Sequence, residues 1–494
     1  MKRIALFTLL LAVLLLVACA TPEPTKAPVP TAVPAQPTKA PEPTKAPEPT
    51  KAPAPTSAPA PTTAVQPTKA PEPTKAAEPT KAPAATFDWK QRAGDTLVLY
   101  LPQHPWTTAI QPFFPDFEKQ TGIKLEVQTF AEAQLRDKVL IALQAKSSEF
   151  DFWMSLKSRE GLKYYRANYY ELLDKYLADP KLTPPDYNVK DFAAGPFGGE
   201  KFENKLTGLP IIIEGPVVFY RKDLFDAAKI PALKKIEDLE TAAAACMKAN
   251  PGITGVTLRG DPNAIAYTFG PFLRAFGVNY RDANGKSQLS SPNGLKAVEY
   301  YTKLARDYGP PGVVTYSFAQ SSALFGGGNA CMEIESSNEL STIVDPKSSK
   351  VVGKVGVMPY PPGPGGDVPT VLQWGVSINA NSKKKEAAWL FAVWATSQEM
   401  QAKLQLKGIA SPRSSSWETP DWKAQLAGDA LRAEWAAAVK YVAEKGSGEV
   451  GPPAIEQPTV RKIMGDALDA VILGQKSAAE AMKAVDVELD KAER

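Results

Sequence analysis

Residues 96–155 read TLVLYLPQHPWTTAIQPFFPDFEKQTGIKLEVQTFAEAQLRDKVLIALQAKSSEFDFWMS, and their apolar spacing switches repeatedly between two periods. Thr96–Leu101 is a short apolar strand, and the stretch through PFFPDFEKQ is helical. KLEVQTF from Lys124 returns as a strand. A helix is predicted over Ala131–Ala145, with Leu135, Val139, Leu140 and Leu143 on one side. FDFWMS from Phe150 is another buried strand. This alternation indicates α/β layers around a largely parallel sheet. Such sheets bind ligands beyond the carboxyl ends of their strands. Those ends fall at Gln103, His104 and Trp106, at Phe130 and Glu132, and at Ser155 to Arg159.

Toward the N-terminus the texture changes. Lys2 and Arg3 precede an apolar run from Ile4 to Ala18, too short to span a bilayer stably, which marks residues 1–18 as an export signal. Leu16-Val17-Ala18-Cys19 fits the bacterial lipoprotein box, so Cys19 is expected to carry lipid and to tether the chain to the outer face of the cytoplasmic membrane. Residues 19–86 continue as a linker in which PTKAPE units repeat from Pro37 and again from Pro67. Each proline fixes φ and removes a donor, favouring extended polyproline II over packed structure. The linker is expected to be a spacer.

Of the 494 residues, 87–494 remain to fold, a length that normally divides into more than one lobe. Of the formal charge of +4, Lys2 and Arg3 supply two, and seven Lys against five Glu in residues 20–86 supply the rest. The folding part is close to neutral, which argues against nucleic acid as a partner. The single histidine, His104, excludes sites that need two. No metal or cofactor is expected. Cys246 and Cys331 lie in apolar segments and are expected as buried free thiols, with a disulfide as the alternative. There is no Gly-x-Ser-x-Gly elbow, P-loop or dinucleotide-binding glycine pattern, so an enzyme is not expected. A lipid-anchored carbohydrate hydrolase using paired carboxylates is one rival reading, and a surface-structural protein on a stalk is another.

Downstream, Thr241–Ala249 is an alanine-rich helix, Pro271–Phe276 opens another, and Leu295–Tyr308 is amphipathic. Asp282-Ala283-Asn284-Gly285 is a turn between short strands. From Thr459 the chain is mostly helical, with Gly474 separating two helices and Ser477 capping the second.

Five segments in order carry a family resemblance: FEKQTGIKLEV from Phe117, LPIIIEGPVVFYRKDLF from Leu209, NGLKAVEYYTKLARDYG from Asn293, LFGGGNACMEIESS from Leu324, and WGVSINANSKKKEAAWLFAVWATSQEMQAKL from Trp374. Together they resemble the family 1 extracellular solute-binding proteins of ABC importers, the maltose-binding-protein type. The resemblance implies a two-lobe, type II-like periplasmic-binding-protein fold. Each lobe would be a mixed β-sheet flanked by helices, hinged about a central cleft. It places lobe I at residues 87–213 and 351–398, and lobe II at 214–350 and 399–494. It implies a monomer that captures a polar solute, above all a saccharide or glycoside, for a membrane permease driven by a cytoplasmic ATPase.

The same resemblance nominates ligand contacts. Glu214 matches a ligand-binding glutamate in the crossover, where an acid interrupts the apolar run Leu209–Ile213. Arg159 matches an arginine near the sugar, Tyr267 a stacking tyrosine, and Trp374 a cleft aromatic. The positions of the maltose-type tryptophans hold Ser155, Asn338 and Arg461 instead, and Ser158 replaces the acid beside Arg159. His104 and Trp106 occupy a loop that otherwise supplies an acid. Glu335, Ser336 and Asn338 follow a strand end and are expected to face the cleft. These departures count against maltose itself.

Overall fold

The computed structural model describes residues 86–493. The signal segment, Cys19 and the PTKAPE repeats lie outside the described residues. No helix among the described residues is long and apolar enough to cross a membrane.

Two sheets organise the chain. The first has the order β2-β1-β3-β11-β6, built from β1 (Thr96–Pro102), β2 (Lys124–Phe130), β3 (Phe152–Ser155), β6 (Leu209–Glu214) and β11 (Leu372–Ile378). β4 (Lys201–Phe202) and β5 (Lys205–Leu206) make a small separate hairpin. The second sheet has the order β10-β7-β9-β8, from β7 (Pro216–Arg221), β8 (Thr254–Thr257), β9 (Ala330–Ser336) and β10 (Val355–Met358). In the first sheet the expectation of a largely parallel arrangement holds only for β1 with β2 and β3, because β11 returns antiparallel between β3 and β6. In the second, β8 pairs parallel with β9 while β7 runs antiparallel to β9 and β10. The sheets are mixed.

Local chemistry sets the elements. The helix Phe114–Thr121 ends at Gly122, whose φ of 72° is open to glycine without strain, and the chain then enters β2. The helix Ala478–Lys491 starts in a capping box between Ser477 and Glu480. At Asp282–Gly285 the turn forms, but only an isolated bridge between Arg281 and Ser287 flanks it. The helix expected to open at Pro271 instead runs from Ala266 to Ala275, with the proline inside it.

Strand alternation divides the cores. Leu97, Leu99 and Leu101 pack with Phe117, Phe152 and Trp389 on one face of the first sheet, while Tyr100 packs with Phe150 on the other. In β7, Val218 joins Phe269, Phe272 and Met332, whereas Val217 and Phe219 face Trp422 and Trp435.

Sheet membership moves the lobe boundaries. The chain crosses at Gly215, between β6 and β7, next to the expected 213/214 boundary. Residues from 351 were expected in the first lobe. However, β10 pairs with β7, and Val355 and Val357 pack against that sheet, so the return begins with β11. Likewise Met400, Leu404 and Ile409 belong to the first core, so the second crossing comes later than 399. Cys246 and Cys331 form a disulfide, correcting the expectation of free thiols: the fold brings their Cα atoms to 6.4 Å, within disulfide reach. It joins the helix Asp238–Ala249 to β9.

Candidate functional site

The carboxyl ends of β1, β2 and β3 open onto a cavity of about 680 Å³ walled by both lobes. Glu132 begins the helix Glu132–Gln144, and Arg136, one turn on, bonds to Glu132 and to Glu160 after β3. Burial alone would raise the Glu132 carboxyl, but the Arg136 guanidinium outweighs it and holds the pKa down to about 2.

The floor is aromatic. Trp374, on β11, lies 5.4 Å beneath the Arg136 guanidinium and 5.4 Å from His104. His104 caps the helix Pro105–Ile110, accepting from the Trp106 amide at Nδ1 at 3.1 Å, which leaves Nε2 to carry the proton. Burial, with Arg259 nearby, pushes its pKa down to about 4, so the ring is neutral.

Across the cleft, Arg259 follows β8. Its Nε donates to both Glu335 oxygens at 2.7 and 3.0 Å, and its guanidinium lies 4.2 Å over the Tyr267 ring. The Tyr267 hydroxyl is buried in the wall near Ser336. Glu214, at the crossover, accepts from Trp374 Nε1 and Asn338 Nδ2, each at 2.9 Å, and from the Ser336 hydroxyl. Burial raises its pKa despite these bonds.

Among the nominated residues, Glu214, Tyr267, Trp374, Arg159, His104, Ser336 and Arg461 line this cavity. Four do not. Trp106 is fully buried in the core of the first lobe, because the helix capped by His104 turns the indole inward. Ser155 is turned into a buried network, bonding Ser377 Oγ at 2.9 Å and accepting from Lys157 Nζ at 2.8 Å. Glu335 stands behind Arg259 as its ion-pair partner. Asn338 is fully buried, holding Glu214 and accepting from the Ala410 amide.

The sequence reading missed Arg259 and Phe318, and although it placed Glu132 at a strand end it missed the pairing of Glu132 and Glu160 with Arg136. Arg259 had a signal, since it follows a strand in the second lobe as the other candidates do in the first. The four-residue spacing of Glu132 and Arg136 was visible too. Phe318, 5.8 Å from Arg259, carried no local sign.

The arrangement offers aromatic faces beside donors and acceptors already held in place, which suits a solute with many hydroxyls and apolar C–H faces. Residues 104–402 match the family described as bacterial extracellular solute-binding protein. The erythritol/L-threitol-binding protein of Mycolicibacterium smegmatis is 28% identical over 352 residues, covering 67% of this chain and 73% of that protein. A solute-binding protein of Agrobacterium radiobacter in complex with ribitol superposes with a TM-score of 0.73 at 26% identity, over 81% of this chain and 99% of that one. One from Agrobacterium vitis with bound D-mannitol gives 0.70 at 26% identity, over 80% and 98% of the two chains. With its two mixed sheets and the cavity between them, the chain belongs to the bacterial extracellular solute-binding proteins.

Proposed function

We propose that this chain captures a small polyhydroxylated solute, an acyclic polyol or a short saccharide, and delivers it to an ABC permease. The reading rests on one observation: the Trp374 face and the Tyr267 ring border a cavity enclosed by both lobes, with Arg136, Arg259 and Glu214 fixed beside them. The polyol-binding relatives support the solute class. Lipid on Cys19 would hold the protein outside the membrane, with the linker giving it reach to the permease.

Transport needs closure to report occupancy, so the solute must bind the closed form more tightly than the open one. Isothermal calorimetry against erythritol, ribitol, D-mannitol and maltose tests the reading. One-to-one binding of a polyol at about micromolar affinity or tighter is expected, with maltose weaker. No heat with any of them, or chemical conversion of a bound probe, would sink it.

A further inference from the structure

Charges at one wall of the cavity do not balance. Arg136, Arg159 and Arg461 gather there against Glu132 and Glu160, and Arg136 is bonded to both carboxylates. Arg159 Nε lies 3.5 Å from Glu160, within ion-pair reach but without a hydrogen bond. Arg461 is 2% exposed and makes no ion pair among the described residues. Its Nη2 donates to the Asn263 carbonyl at 3.2 Å, while Nε and Nη1 are buried without hydrogen-bond partners among the described residues. Arg159 Nη1 reaches the same carbonyl at 3.4 Å.

The two guanidiniums come from different lobes. Arg159 follows β3, whereas Arg461 sits on the helix Gln457–Ile472, whose Val460, Met464 and Leu468 pack in the second core. Other cations at the cavity are matched: Arg259 by Glu335, Lys163 by Glu456, Lys462 by Asp466. Burial, then Arg159 and Arg136, push the Arg461 pKa down to about 9, and burial, then Arg136, push Arg159 to about 10. A buried cation with unused donors is costly unless something pairs with it. A planar fork of N–H groups suits an oxyanion.

We infer that Arg159 and Arg461 form an oxyanion site, and that the solute carries one carboxylate or phosphoester on its polyhydroxyl chain, gripped from both lobes. The inference deepens the polyhydroxyl reading and rests on it for the rest of the solute. An anion held by one arginine from each lobe is fully bound only when the lobes are together, so this contact favours closure.

Calorimetry and melting with D-mannitol, D-mannonate, D-mannitol 1-phosphate and sodium sulfate, at matched ionic strength, test it on the wild type and on Arg461→Gln. At least one acid should bind about tenfold or more tighter than D-mannitol, a margin the variant erases. The better acid identifies the carboxylate or the phosphoester. Without ligand, Arg461→Gln should melt no lower than wild type, since it removes an unpaired buried charge; a lower melting temperature would mean the charge is compensated. D-mannitol binding as tightly as both acids overturns the oxyanion site and leaves the polyol reading standing. If no polyhydroxyl probe binds but sulfate stabilises the wild type and not the variant, the site stands and the polyol reading falls. Silence with all four probes overturns the oxyanion site, and silence that extends to erythritol, ribitol and maltose overturns the polyol reading as well.

Discussion

The Trp374 indole donates to Glu214 Oε1 at 2.9 Å, tying the aromatic floor of the first lobe to the last residue before the crossover. The other carboxylate oxygen accepts from Ser336 and Asn338, which end and follow β9 in the second sheet. Glu214 is therefore a junction between both sheets through neutral donors. Neither an ion pair nor a carboxylate with both oxygens free for solute describes it. A carboxylate offers about four lone-pair sites, and three are in use. One is left unused among the described residues.

The Glu214→Gln substitution should therefore lower stability as well as affinity. Its amide NH2 must face a donor, and leaving buried groups unpaired costs about 1–3 kcal/mol. Urea unfolding and calorimetry on the same variant check this. Unchanged stability with weakened binding would return Glu214 to a purely ligand-facing role.

The Cys246–Cys331 bridge closes a loop with a sequence separation of 85. Replacing both cysteines by serine should cost about 2–4 kcal/mol of stability. Urea unfolding of the variant, and of the wild type with and without reductant, reads it. A wild-type curve insensitive to reductant would contradict the bridge.

Glu339 gives a pH signature. Burial first, then Glu335, pushes its pKa from 4.5 to about 8, so the folded chain holds it protonated at neutral pH. A raised carboxyl pKa contributes stability that is full below the unfolded value and lost as pH rises toward the folded one. Wild type should thus lose melting temperature relative to Glu339→Gln between pH 4.5 and pH 8. Parallel melting curves for the two proteins across that window would refute the assignment.

The N-terminal segment is tested separately. Cys19→Ser should release the protein from membranes or block its processing, read by fractionation. A chain beginning at Phe87 should keep the melting temperature and solute affinity of the full chain. A drop of several degrees would mean that residues 19–86 pack on the lobes.

Periodicity and capping are local, so residues 96–155 were legible as strands and helices to within a few positions, as were the break at Gly474 and the cap at Ser477. The order of segments reached the two-lobe architecture, and the strand ends named from the sequence border the cavity between the lobes. Side-chain direction is another matter. His104 and Trp106 stand two residues apart, yet one borders the cavity and the other fills the core, because a helix starts between them. Glu335 and Ser336 are adjacent, but only Ser336 faces the cavity, since neighbours along a strand point to opposite sides. The sheet that β10 joins, the approach of Cys246 to Cys331, and the meeting of Arg159 with Arg461 join positions far apart in sequence. No local pattern encodes such distances. They were decided by tertiary packing, in which burying the apolar faces of both sheets sets where every distant side chain ends.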